Sequence, residues 1–335
     1  MNEIKYKHLF LYQFWRFADH LFGTQVPSNR FLNQRKRVSS LVSSNFQEKK
    51  VIGTLKMVDR VKNISDYDLK KNYINKGIPV VMEGKAKNWE CVKKWSPDWL
   101  FENYCDDKVS IFNAQDVKDV DYSVEEITLR DILNSMREKD SSKYSRFNRI
   151  LYDHPELVDD FDWRWLYNMR NKISSGKTFQ VFIGAKGTRT TLHSASEHNL
   201  FTQVYGNKHW YLYPPENDII FDPFITRSPY FHSSFDPDLP DFKLFPNAKY
   251  LQTWECELKA GDVLFNPPSW WHHVTNLSDS IGVGFRWFSP VDSFKMSFMQ
   301  TLLTFLSTNP PIWVATKNRT DFAAIFKYMN NKKSK

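Results

Sequence analysis

The chain has 335 residues, of which 41% are hydrophobic, 25% charged and 16% aromatic. The aromatics supply enough apolar surface for a sizeable core, which excludes a disordered chain, and only 11 glycines exclude a collagen-like one. No apolar run reaches the roughly 18 residues that a bilayer span needs, and three unclustered cysteines (Cys91, Cys105, Cys256) predict free thiols in a reducing, cytoplasmic setting.

The formal charge of +8 sits at the ends of the chain. Residues 1–62 carry 12 Lys/Arg against 4 Asp/Glu, a net +8, and residues 317–335 carry 6 against 1, a net +5. The middle is left at −5. The sharpest run, Arg35-Lys36-Arg37, reads as a solvated arm, because no nucleic-acid-binding signature accompanies it.

Between Met1 and Gly23, Phe10, Phe14, Phe17 and Leu21 recur at helical spacing. They predict a helix packed on the body or on a second subunit, with a membrane-surface helix as the bolder alternative. Acidic and basic residues interrupt the segment and no small-residue cleavage site follows, which argues against a secretory signal. Ser65 predicts the cap of a helix running to Lys76 and ended by Gly77. Ile78–Met82 then reads as a strand. Ser96 and Pro97 open a helix to Tyr104, and Val109–Phe112 reads as a strand. Thr128 caps a helix with Leu129, Ile132, Leu133 and Met136 on one face. Arg149–Tyr152 reads as extended, and Asp153–Lys172 as helix and loop.

From Lys177 the pattern changes. Phe179–Gly184, Leu200–Tyr205, His209–Tyr213, Val263–Asn266 and Ile281–Trp287 are short β-type runs punctuated by Gly, Pro and Asn, which predict a sandwich or barrel. The segment Asp218–Lys249, rich in Phe and Pro, is long for a connection and predicts a substrate-shaping lid or a cover that buries its aromatics. A helical pattern returns over Val291–Leu306 and stops at Pro310-Pro311, before a shorter basic helix. Its stripe of Phe294, Phe298, Leu302 and Phe305 packs on the barrel or forms a homodimer face. With no clean linker, the expectation is one α+β body with a mainly β core. It divides into a basic aromatic extension (1–62), a helical and mixed lead-in (63–177), a β domain (178–290) and C-terminal helices (291–335).

Two segments carry chemistry. The first runs Thr190-Thr191-Leu192-His193-Ser194-Ala195-Ser196-Glu197-His198-Asn199, then a strand, Gly206-Asn207-Lys208, and a second strand ending at Pro214-Pro215. The second runs from Gly261-Asp262-Val263-Leu264-Phe265 through Pro267-Pro268 to Trp270-Trp271-His272-His273. Each joins a β run to a histidine. Two histidines on separate strands of a small barrel converge readily on one metal, and imidazole suits Fe(II), Zn or Cu.

This order resembles the JmjC and cupin-like 2-oxoglutarate oxygenases, a double-stranded β-helix (jelly-roll) family that includes an asparaginyl hydroxylase. The family's segments resemble T-x-x-H-x-D, N, G-x-K, a P-P turn, and G-D-x-L-x-x-P-x-x-W-W-H, and residues 178–290 follow that order. The stretch Gly77–Asn113, with Pro79-Val80-Val81 and Trp89/Trp95, resembles the family's lead-in. The resemblance implies that His193 and His272 hold Fe(II), and that Thr190, Asn199 and Lys208 contact 2-oxoglutarate. Lys208 suits the distal carboxylate, which needs a buried cation or donor. His273 packs or hydrogen-bonds, and Trp270 and Trp271 wall the barrel. The substrate (small molecule, amino acid, peptide or protein side chain) is not implied, and a nucleic acid is not expected.

One position departs. The family has Asp or Glu two residues after the first histidine, on the same strand face; here it is Ala195, whose methyl group ligates nothing. Three expectations follow. An anion or water fills the place, as chloride does in the related non-haem iron halogenases, which suggests halogenation with chloride or bromide rather than hydroxylation. Or Glu197 folds back as an atypical ligand from about 6.6 Å further along the strand. Or the domain is an inactive binding module.

Overall fold

Alternating β-branched and aromatic runs close into two facing sheets when turn residues divide them every six to ten positions. A computed structural model describes residues 4–23, 29–112, 124–171, 173–309 and the single positions 325, 328 and 331. Its core strands are β1 (Ser175–Gly184), β2 (Arg189–Ala195), β3 (His198–Tyr205), β4 (Lys208–Tyr213), β5 (Gln252–Leu258), β6 (Val263–Asn266), β7 (Trp271–Asn276) and β8 (Ser280–Phe288). One sheet has the order β1-β8-β3-β6 at its centre, the other β5-β4-β7-β2. Every pairing among the eight is antiparallel. This is the double-stranded β-helix. The first sheet extends to nine strands through the lead-in, with Val80–Met82 against β6 and Tyr144–Asn148 against β1.

Three apolar clusters hold the body. One lies between the sheets, where Phe201 meets Trp210 edge to face at 4.9 Å. A second packs the lead-in helices on the nine-stranded sheet through Leu129, Ile132, Leu133, Phe179 and Phe285. The third covers the outer face of the other sheet: Leu192 and Trp271 meet Tyr12, Val42 and Phe46 of two N-terminal helices, Tyr6–Phe22 and Arg30–Glu48.

The caps read from sequence are in place. Ser65, Ser96 and Thr128 each accept a backbone N–H of the first helical turn, and Asp131 completes a capping box with Thr128. The helix after Ser65 is α over Asp66–Leu69 and π over Lys70–Ile74.

Several expectations need correction. Residues 150–153 are a helical turn, not extended, because the Asn148 side chain accepts the Ile150 N–H and starts it; the strand is Tyr144–Asn148. The C-terminal helix is two, Pro290–Met296 and Phe298–Phe305, divided where Ser297 caps the second. The N-terminal helix packs on the body, but through His8, Tyr12, Arg16 and His20; Phe10 and Phe14 are exposed. Arg35 is not solvated: it is buried and paired with Asp19 and Asp222. The Asp218–Lys249 segment covers the barrel, burying Phe221, Phe231, Phe235 and Phe245, and adds a strand, Tyr230–His232, to the free edge of β2. Pro310-Pro311 and most of the basic C-terminal stretch lie outside the described residues. Among the described residues no helix is long and apolar enough to cross a membrane.

Candidate metal and co-substrate site

His193 on β2 and His272 on β7 are direct cross-strand partners, and their ring centroids are 4.0 Å apart. A register shift between the His272 and Val274 pairings lets Thr190, three residues before His193, pair with Val274. Such a bulge re-aims a side chain that a regular strand would send to the opposite face. Trp210 of β4 stacks on the His272 ring at 5.6 Å.

The ring nitrogens are sorted by their neighbours. His193 Nδ1 lies 2.8 Å from the Thr191 carbonyl, and His272 Nδ1 lies 3.0 Å from the Trp270 carbonyl. A carbonyl only accepts, so the Nδ1 of His193 carries the proton and its Nε2 keeps its lone pair. The Asn266 side-chain amide also lies 3.2 Å from His272 Nδ1, and the same tautomer at His272 requires that amide to present its oxygen. Burial, then the neighbouring His272 and His232, hold His193 well below the usual histidine range. Burial, then the Arg286 charge, push His272 down to about 3. Both rings are neutral at physiological pH, the state that binds metal.

The residues expected to meet a co-substrate lie on the histidine strands or their neighbours: Thr190 on β2 with His193, Lys208 on β4 beside β7, and Asn199 on β3 of the facing sheet. Lys208 of β4 is buried and donates to Asn276 Oδ1 and, at 3.4 Å, to Tyr144 Oη. Burial alone lowers its pKa to about 7, since no carboxylate offsets the charge. The Tyr144 hydroxyl in turn hydrogen-bonds Thr190. Gly282 gives the lysine its room: a Cβ there would stand 3.2 Å from Lys208 Cε and 2.3 Å from Phe201 Cζ. Asn199 of β3 is buried with neither amide atom hydrogen-bonded. Buried unpaired amides are uncommon and mark a place where a ligand completes the bonding. A buried lysine without a counter-charge and an unsatisfied amide fit a small dianion, and two neutral imidazoles fit a divalent ion.

Ala195 is 6% exposed and pairs across the edge with Tyr230. Among the described residues, no group of three His, Cys, Asp or Glu that includes His193 and His272 has its ligand atoms within 4.8 Å of one another. Glu197 is turned to Arg286, 3.8 Å away, which does not bear out its expectation as an atypical ligand. Sequence reasoning missed Tyr144, Arg286 and His232. His232 pairs with His193 from the added edge strand, its ring 5.8 Å away, and burial with the Arg146 charge lowers it to about 4. A chemistry-bearing residue inside the long aromatic segment was the available signal. His273 faces outward, 3.4 Å from Asp238. Its cluster with Asp236 and Asp238 already has a cation, Arg189, at 3.3 and 3.8 Å from the two carboxylates. Trp270 packs between the sheets and donates to Gly77 O, whereas Trp271 lies on the outer face of its sheet and donates to Asp218 Oδ1.

Fold and site together define a double-stranded β-helix protein with a paired-histidine pocket. The model of the cupin-like domain matches residues 67–294, and the chain belongs to that family. It is 29% identical over 252 residues to lysine-specific demethylase JMJ30 of Arabidopsis thaliana, covering 72% of this chain and 57% of that protein. It is 26% identical over 211 residues to lysine-specific demethylase 8 of Xenopus tropicalis, covering 62% and 48%. Human HSPB1-associated protein 1 is 34% identical over 158 residues, covering 44% and 31%. The chain spans about half the length of the first curated relatives it matches.

Proposed function

We propose that the chain is a non-haem Fe(II)/2-oxoglutarate-dependent oxygenase-type enzyme that attacks an unactivated C–H bond. The observation that carries this reading is the pair of neutral imidazoles, each with Nδ1 tied to a backbone carbonyl and Nε2 left to bind. His193 and His272 hold Fe(II). Lys208, Thr190 and Tyr144 take the distal carboxylate of 2-oxoglutarate, and Asn199 takes its other end. Iron(II) with this co-substrate and O₂ supplies the oxidising power for C–H cleavage. The protein orients the dianion by a charge-assisted bond from Lys208, fixes both ring tautomers, and keeps water out with Phe201 and Trp210. The names of relatives, lysine-specific and arginine-specific demethylases, support oxidative C–H chemistry on a protein side chain as the class of reaction.

A second reading, halogenation in place of hydroxylation, is favoured by Ala195. The family's carboxylate position holds a methyl group, which leaves room for an anion, and the Arg286–Glu197 pair lies on the same side of the barrel as the histidines whose pKa the Arg286 charge lowers. Chloride or bromide then occupies the place of the carboxylate. The test is conversion of 2-oxoglutarate to succinate by the iron-loaded chain, with and without halide. Turnover that depends on Fe(II) and rises with halide supports both readings, and halide-independent turnover supports hydroxylation. Absence of turnover and of 2-oxoglutarate binding returns the domain to a binding module.

A further inference from the structure

The outer faces of the two histidine strands share one buried anchor. Ser194 follows His193 and Trp271 precedes His272, so both point away from the pocket. The Ser194 hydroxyl donates to Gln300 Oε1 at 3.0 Å, and Gln300 Nε2 donates to Asp218 Oδ1 at 2.7 Å. Trp271 Nε1 donates to the same oxygen at 2.7 Å. From the N-terminal helix, Gln13 Nε2 donates to Asp218 Oδ2 at 3.0 Å, and the Arg16 guanidinium pairs with that oxygen. Asp218, Arg16, Gln300 and Ser194 are all buried. A carboxylate has about four lone-pair sites, and four donors from three parts of the chain fill them.

We propose that Asp218 is a positioning residue. Through Trp271, and through Gln300 and Ser194, it sets the rotation of β7 and β2 about their axes, and so the angle at which the His272 and His193 rings meet. Arg16 supplies its counter-charge, which gives the N-terminal helix a task in the site. Ser196, one residue past Ala195, is held the same way: its hydroxyl lies 2.9 Å from Thr304 Oγ1, and its carbonyl accepts from Ser293 Oγ at 2.6 Å. The inference rests on reading His193 and His272 as the metal pair.

The test uses the ¹⁵N-labelled full chain and reads the histidine rings by long-range ¹H–¹⁵N correlation, with Co(II) titration alongside. In Asp218→Asn, half the acceptor sites become donors facing donors. In Gln300→Leu and Ser194→Ala only the relay is cut, and these two decide the matter if Asp218→Asn does not fold. The expected result is that the His193 and His272 ring signals shift or broaden while those of His198 and His209 stay. Co(II) affinity falls roughly tenfold, as when outer partners of a ligating histidine are removed. Unchanged ring signals and Co(II) affinity in folded Gln300→Leu and Ser194→Ala overturn the proposal and leave the site reading intact. A wild-type chain that takes no Co(II), while the variants still move the ring signals, overturns the metal reading and leaves the positioning role.

Discussion

His193 and His272 face one another across the β2–β7 ladder, ring centroids 4.0 Å apart, each with Nδ1 against the carbonyl two residues before it. Ladder register sets their separation, and the bulge beside them brings in Thr190. Pocket geometry is therefore a property of the strands rather than of flexible loops.

Lys208 is a buried cation whose pKa burial lowers to about 7. The unfolded state binds more protons above that pH, because an ordinary lysine titrates near 10.4, so this group makes stability rise from about pH 7 toward 10. Comparison of thermal melts of the wild type and Lys208→Met across that range should show the rise in the wild type alone. Binding of 2-oxoglutarate needs the protonated amine, so affinity falls by up to roughly tenfold per pH unit above 7. In Lys208→Met it falls more than tenfold at pH 6.5, measured by calorimetry.

Gly282→Ala puts a methyl group 2.3 Å from Phe201 and 3.2 Å from Lys208. Overpacking of this kind costs about 1–3 kcal/mol. We expect loss of stability in urea, because Phe201 must shift, together with weakened 2-oxoglutarate binding, because Lys208 is crowded beside it.

Ala195→Asp restores a carboxylate on the pocket face of β2. Fe(II) should then bind at least about tenfold more tightly, the order of effect associated with changes around metal ligands, and halide should no longer influence co-substrate binding. An unaltered halide response would remove Ala195 as the anion's place.

Arg16→Met strands the Asp218 carboxylate in the interior, where the two side chains are 1% and 0% exposed. Breaking a buried pair from one side costs about 3–5 kcal/mol. Urea unfolding should show a loss of that size.

Local chemistry was legible from sequence. Ser65, Ser96 and Thr128 announce their helices because a cap is decided within four residues. Val263–Asn266 reads as a strand because Val263, Leu264 and Phe265 form an apolar run bounded by turn residues. The site was legible to the extent that motif order places Thr190, His193, Asn199, Lys208 and His272. What escaped depends on distant partners. Tyr144 joins the pocket through a ladder to β1 that leaves no local signal, and His232, visible only as a histidine within the long aromatic segment, through pairing of Tyr230–His232 with the edge of β2. The N-terminal helix misled for a related reason. Its apolar stripe was the obvious inner face, yet Tyr12 and Arg16 turn inward because Asp222 and Asp218 require donors there.

The most direct measurement is anaerobic titration of the full chain with Fe(II), followed by equilibrium dialysis. One ion per chain in the wild type, and none in His193→Ala or His272→Ala with folding intact, is the predicted result. Iron retained by both variants, or none held by the wild type, would contradict the assignment of these two imidazoles.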